Sequence, residues 1–337
     1  MNTKTITHYA LRITNCFLAL LLSLILLTGT AFASPAWQLP KHGKIFNDDN
    51  AKQSYITNYM EKFFHGEIKM TFAVPDKWKY EKLSIKGTKV ERLINPAQKK
   101  SSRVAIQLHG GGYIGSLSDW YRDFGIKQAV MTDAREIYMV DYRIAPENLY
   151  PAALEDAANV YSELLNRGVD PKKIIILGDS AGGNLALELS LYLKEKNLPQ
   201  PAMLILISPW TTFEADLPSR TENVDRDKIL GKINPVMYNE VSKPTYGGDI
   251  PLNDPRLSPI YADLKNLPPM LIQIGGYELF TDEGIELLRK ATADDVSVTL
   301  SVYRGMSHDF SVLLPELDDS IKAFTEVKSF VNLHMKK

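Results

Sequence analysis

Three stretches of this chain carry side chains that could do chemistry together. The first is Gly178-Asp179-Ser180-Ala181-Gly182-Gly183, which follows the apolar run Lys173–Leu177 and precedes the helical pattern Asn184–Glu195. A β-branched run, small residues around a Ser and then a helix read as strand, sharp turn and helix. This is the setting that a G-x-S-x-G nucleophile needs, because the glycines permit strained dihedrals and close backbone approach. A Ser hydroxyl is a weak nucleophile until a positioned base takes its proton. After residue 33 the histidines are His42, His65, His109, His308 and His334. His42, His65 and His334 lie near the chain ends and read as surface residues. His308, in Tyr303-Arg304-Gly305-Met306-Ser307-His308-Asp309-Phe310, follows the last strand-like run, so a loop there can bring it to Ser180.

The second stretch is His109-Gly110-Gly111-Gly112-Tyr113, directly after the apolar run Val104–Leu108. Successive glycines let backbone N–H groups turn toward one point, where they can bind a developing oxyanion together with the N–H of Ala181. The third is Gly275-Gly276-Tyr277-Glu278-Leu279-Phe280-Thr281-Asp282-Glu283, after the run Met270–Ile274. A carboxylate here would orient the imidazole and stabilise its cation. Glu278 is the favoured acid and Asp282 the alternative. Asp282 or Thr281 would otherwise serve as the N-cap of the next helix.

These residues need a scaffold that delivers them to one edge. Apolar runs at Val104–Leu108, Ile137–Val140, Lys173–Leu177, Met203–Ile207, Met270–Ile274 and Val296–Val302 alternate with helical patterns at Asp119–Asp133, Ala152–Arg167, Asn184–Glu195, Glu283–Ala293 and Pro315–Val331. Such alternation predicts an α/β fold with a mostly parallel sheet covered by helices. Three earlier runs, Glu67–Val74, Tyr80–Lys86 and Lys89–Ile94, predict an antiparallel start. The residues between Ser208 and Met270 are too many for a simple crossover. They predict short helices that, with the arm before residue 67, cover the C-terminal edge of the sheet as a lid.

Residues 1–33 read as a signal peptide: Lys4 and Arg12, an apolar run Cys16–Thr28, and Ala31-Phe32-Ala33 before Ser34. The run is shorter than the roughly 20 residues a membrane span needs, so export to the periplasm or beyond is favoured over an uncleaved N-terminal anchor. Removing the segment takes two of 39 basic residues and none of 40 acidic ones, leaving a slightly acidic chain with no footprint for nucleic acid. The single Cys leaves with it, so the mature protein forms no internal disulfide. The expected organisation is 1–33 signal peptide, 34–66 an arm contributing to the cap and 67–337 the catalytic domain, with 209–265 as the cap insertion.

From roughly Arg103 to Phe310 the sequence resembles the bacterial hormone-sensitive-lipase-like esterases of the α/β-hydrolase superfamily. The resemblance is carried by His109-Gly110-Gly111-Gly112, Asp141-Tyr142-Arg143-Ile144-Ala145-Pro146-Glu147, Gly178-Asp179-Ser180-Ala181-Gly182-Gly183, Ser208-Pro209-Trp210, Asp254-Pro255-Arg256-Leu257-Ser258-Pro259 and Gly305-Met306-Ser307-His308. It implies an α/β-hydrolase fold with a helical cap, and a serine carboxylesterase acting on small-molecule esters of short to medium chain. It further implies Ser180 as nucleophile, His308 as base and Gly111, Gly112 and Ala181 as oxyanion donors. Two positions depart from the pattern: Glu278 stands where many members carry Asp, and Thr212 where an acid is common. Asp141, Arg143 and Glu147 read as structural, holding the entry to the helix near Pro151. The mechanism calls for no cofactor and no metal. The competing readings are a lactone or amide hydrolase with the same triad, and an inactive hydrolase fold used as a binding protein. Acyl chain length, stereoselectivity and oligomeric state are not encoded legibly.

Overall fold

The computed structural model describes residues 37–335, so the expected signal peptide lies outside the described residues. Eight strands form one sheet in the order β1-β2-β4-β3-β5-β6-β7-β8. They are β1 (Lys79–Ile85), β2 (Thr88–Ile94), β3 (Val104–Leu108), β4 (Glu136–Asp141), β5 (Ile174–Asp179), β6 (Met203–Ile207), β7 (Met270–Gly275) and β8 (Val298–Tyr303). β1 and β2 pair antiparallel through a two-residue turn in which Lys86 and Gly87 both have positive φ, the geometry that matches strand twist. β2 meets β4 antiparallel, and every later pairing is parallel.

The central strands are buried along their whole length because both faces are covered. Their side chains alternate between two apolar layers. Ile106, Ile176, Leu206 and Ile272 face the layer shared with Leu185 and Leu189, on the helix Ala181–Glu195. Ala105, Ile175, Ile205 and Leu271 face the layer shared with Phe124 and Phe324, on the helices Asp119–Met131 and Asp318–His334.

The run Glu67–Val74 is not a strand. Its alternation is real, with Phe72 and Val74 packed against the second layer, but the Phe72 amide donates to the Asp119 carboxylate at 3.1 Å instead of joining a ladder. An extended strap held by side chains has the same period as a strand.

The connection between β6 and β7 carries two short helices, Ser219–Glu222 and Pro235–Ser242, and a 3₁₀ turn Pro259–Tyr261. The arm contributes the helix Asp49–Phe64, capped by Asp48. This helix buries Ile56 and Met60 in the first layer and reaches the segment after β8, where Lys52 and Gln53 donate to the carbonyls of Arg304 and Gly305. Parallel pairing then decides the location of the chemistry. The segments after β3, β5, β6, β7 and β8 all leave the same edge of the sheet, in registers such as Leu108↔Gly178 and Asp179↔Ile207.

Candidate active site

At the end of β5 the chain turns through Ser180, whose φ of 52° and ψ of −120° lie in a region that L-residues avoid. The turn is fastened on both sides. Ser180 donates its amide to the Ile207 carbonyl at 2.9 Å, and its own carbonyl accepts from Trp210 at 3.1 Å and Asn184 at 3.1 Å. Glycine is required beside it, since a Cβ at Gly182 would run into the Leu108 carbonyl of β3. The helix Ala181–Glu195 starts immediately after the Ser, so its N-terminal dipole points at the hydroxyl.

The glycine loop after β3 holds Gly111 at φ 108° and Gly112 at φ 63°. Among the described residues, the amides of Gly111, Gly112 and Ala181 donate to no protein acceptor. The loop is held by Asp179, whose Oδ2 accepts from the Gly110 amide at 3.1 Å and the Tyr121 hydroxyl at 2.8 Å. Tyr113 leaves the loop inward and donates to Asn184 Oδ1 at 2.7 Å, while Asn184 Nδ2 donates to the carbonyls of Trp210 and Leu257. One Asn therefore ties together the helix after Ser180, the glycine loop, Ser208-Pro209-Trp210 and Asp254-Pro255-Arg256-Leu257-Ser258-Pro259. His109 has no base role here. It stacks on Tyr142 at 4.1 Å, and burial pushes it down to about 4, so it stays neutral.

Glu278 and His308 are brought together. Glu278 Oε2 lies 3.5 Å from Nδ1 of His308, with side chains 0% and 1% exposed. Burial pushes Glu278 up to about 7 against the pull of the imidazole. Burial would hold His308 down, but the adjacent Asp309 carboxylate and then Glu278 outweigh it and set the imidazole well above the ordinary histidine range. The other ring nitrogen, Nε2, lies 3.1 Å from Asp309 Oδ2, and neither ring nitrogen closes a hydrogen bond, to these carboxylates or to Ser180. Asp282 is not at the base. Its carboxylate accepts the Ser219 amide at 2.8 Å, fastening the inserted helix Ser219–Glu222 to the segment after β7. Neither Asp282 nor Thr281 is the N-cap; Phe280 occupies that position, and Thr281 donates its hydroxyl to the carbonyls of Gly275 and Glu278.

The inserted segment supplies contacts that sequence reasoning missed. Asp227 is 1% exposed, and its Oδ1 accepts from the amides of Ile229 and Leu230 and faces the His308 amide at 3.4 Å. Its Oδ2 accepts the Leu279 amide at 2.8 Å, and Asn223 donates to the Glu278 carbonyl at 3.0 Å. Nothing in the Pro-, Asp- and Asn-rich composition of this stretch marks Asp227. The Thr212 departure also has a structural account. The amides of Thr211 and Thr212 donate to Glu283, which is paired with buried Arg220 at 2.5 Å, so a carboxylate arrives from the helix Thr281–Ala293 instead. Over the glycine loop lies the helix Pro235–Ser242. A Cβ on Gly112 would stand 3.1 Å from Met237 Cε and 3.3 Å from Glu240 Cγ. Ser180 is 2% exposed.

Of the residues read as structural, Arg143 behaves so, donating to Asp156, Glu155 and the Ala152 carbonyl at the helix entry. Asp141 and Glu147 make no such side-chain bond among the described residues. Trp210 is fully buried and stacks on Phe213 and Phe280, whereas Trp120 packs edge-on against Phe63 of the arm. His42, His65 and His334 are exposed.

A family model described as alpha/beta hydrolase fold matches residues 105–312. The chain is 35% identical over 240 residues to an esterase of Acinetobacter venetianus, covering 69% of this chain and 76% of that one. It is 30% identical to an acetyl-hydrolase of Streptomyces hygroscopicus, covering 71% of this chain and 78% of that one. Among solved structures, an esterase from the bacterial hormone-sensitive lipase family superposes with a TM-score of 0.70 at 30% identity, covering 86% of this chain and 93% of that one.

Proposed function

Because the chain belongs to the alpha/beta hydrolase family matched over residues 105–312, and within it to the hormone-sensitive-lipase-like carboxylesterases, it is a carboxylic ester hydrolase, and we propose that Ser180, Glu278 and His308 carry out its acyl transfer. The observation that supports this assignment is that three parallel strands leave one sheet edge carrying a strained Ser after β5 and a sealed Glu278–His308 pair at 3.5 Å from the segments after β7 and β8.

In the reaction, Nε2 of His308 takes the Ser180 proton as Oγ bonds to the ester carbonyl carbon. Gly111, Gly112 and Ala181 donate their amides to the oxyanion, and Glu278 stabilises the imidazolium through Nδ1. His308 returns the proton to the departing alkoxide oxygen, leaving an acyl-Ser180. Water then attacks the acyl carbon with His308 as base, which releases the acid and restores the Ser. The arm and the inserted segment form the cap. Met237 and Glu240 above Gly112, together with the acetyl-hydrolase relative, favour a short acyl group. Residues 1–33 direct export, a reading supported by Lys4, Arg12 and the Cys16–Thr28 run; N-terminal sequencing of the secreted protein should begin at Ser34.

Ser180→Ala tests the assignment. It should abolish hydrolysis of p-nitrophenyl acetate and block labelling by a fluorophosphonate, and retention of either at the wild-type rate would remove Ser180 from the mechanism.

A further inference from the structure

We propose that Asp309 is a positioning residue that competes with Ser180 for Nε2 of His308 and so sets the pH range in which the base is free to act. The inference rests on the triad reading above and adds a fourth side chain to it. Its Oδ2 lies 3.1 Å from Nε2, while Nδ1 faces Glu278 on the opposite side of the ring. A carboxylate accepts and does not donate, and only the imidazolium carries N–H groups on both nitrogens. The ring is thus placed between two acceptors that both favour its cation. An imidazolium has no lone pair with which to take the Ser180 proton.

The orientation of Asp309 comes from its backbone. Its φ of 49° and ψ of 30° are left-handed, a conformation that Asp and Asn tolerate better than other residues with a Cβ. Its amide donates to Ser208 Oγ at 3.1 Å, and its carbonyl accepts from Val312 and Leu313 at 2.9 and 3.0 Å. These bonds pin the backbone of Asp309 at both its amide and its carbonyl, which directs its side chain back across the imidazole. Its remaining oxygen, Oδ1, is buried without a partner, and Oδ2 faces Nε2 at ion-pair distance without closing a hydrogen bond, so the link between the two side chains is one of charge.

The other groups around His308 point the same way. From the segment after β7 comes Glu278, with the Phe280 ring edge-on at 4.9 Å. From the inserted segment comes Asp227, facing the His308 amide. From the end of β5 comes Asp179, which burial and then the Asp309 charge push well above the usual carboxylate range. From the helix Asp119–Met131 comes the Tyr121 hydroxyl, engaged by Asp179. Catalysis therefore begins with two events. The Nε2 proton is lost to water, and the imidazole leaves Asp309 for Ser180 Oγ, whose proton it accepts as the Oγ–carbon bond forms.

The test is the pH dependence of kcat/KM for p-nitrophenyl acetate in the wild type, Asp309→Asn and Asp309→Gly. Asn keeps the shape and the left-handed tolerance without the charge, and Gly suits the backbone if Asn disturbs folding. Removing a carboxylate this close should lower the acid-limb midpoint by about 1–3 units. Well below both midpoints, each unit is a relative gain of about tenfold in kcat/KM. An acid limb unmoved within 0.3 units in the folded variants, with activity lost equally at all pH, would overturn the proposal. His308 ring resonances titrated by NMR in Ser180→Ala, with and without Asp309→Asn, give a readout independent of turnover. A lower His308 midpoint without Asp309 supports the contact even if Ser180→Ala remains active and the triad reading fails. An unchanged midpoint rejects the proposal while leaving the triad standing.

Discussion

The carboxylate of Asp227 accepts the amide of Leu279 at 2.8 Å, so a residue of the inserted segment holds the backbone beside Glu278. Its other oxygen serves the amides of Ile229 and Leu230 and faces that of His308. Glu278 and His308 therefore follow different strands but share one buried fastener from the inserted segment. Asp227→Ala would leave several buried N–H groups unpaired, at a cost of about 2 kcal/mol in stability. It should lower kcat on the order of tenfold or more with a smaller change in KM, because a displaced acid or base impairs chemistry more than binding. Steady-state kinetics and urea unfolding of the same preparation check both numbers. A variant with wild-type kcat would show that the fastener has no bearing on the triad.

Glu278 and Asp282 stand four positions apart, and the structure gives them different partners. Glu278→Gln should lower kcat on the order of a thousandfold, as expected when the carboxylate behind a catalytic imidazole becomes an amide. Asp282→Asn should leave kcat within about threefold and cost about 1 kcal/mol, since the Ser219 amide keeps an uncharged acceptor. The reverse ranking of the two kcat losses would reassign the acid.

At Gly112 the φ of 63° and the closeness of Met237 and Glu240 both act against a side chain. Gly112→Ala costs about 1–2 kcal/mol in the left-handed conformation. If it displaces the amide from the developing oxyanion, kcat should fall on the order of a hundredfold. The comparison is between kcat and the thermal midpoint. A drop in stability with unchanged kcat would take Gly112 out of the oxyanion hole.

Arg220 is buried with Glu283 and lies over the Phe280 ring at 4.4 Å, linking the inserted segment to the helix after β7. Arg220→Met should destabilise by about 3–5 kcal/mol, because it strands a buried carboxylate. Burial raises Glu283 above its ordinary value, and Arg220 opposes that rise. Without Arg220, the folded protein holds the Glu283 proton more tightly than the unfolded chain does. Folding then takes up a proton, and stability falls as pH rises. Guanidinium unfolding should therefore show a larger deficit at pH 8 than at pH 5, and a pH-independent deficit would contradict the pair.

Most of the scaffold is legible in the sequence because its signals are local. Continuous apolar runs mark strands covered on both faces, and the parallel strands beyond β4 follow from strand–helix alternation. The Gly-rich stretches at Gly110 and Gly182 mark turns that only small residues can make. The candidates Ser180, His308 and Glu278 likewise stand in segments that follow apolar runs, which places them just past strand ends. Glu67–Val74 misled because alternation reports which side chains face the core, not whether the backbone has a ladder partner.

By itself, then, the sequence determined the order of elements and the candidates for nucleophile, base and acid, since these depend on residue type and short-range period. Only the tertiary structure decided the connections among them. Asp227 meets Leu279 across 52 positions, and Glu283 reaches Thr211 across 72. No period spans such distances, and the partner of a buried carboxylate is chosen by loop conformation and packing. Even Asp309, adjacent to His308 in the chain, faces the ring because its backbone is left-handed, a choice made by the folded turn around it.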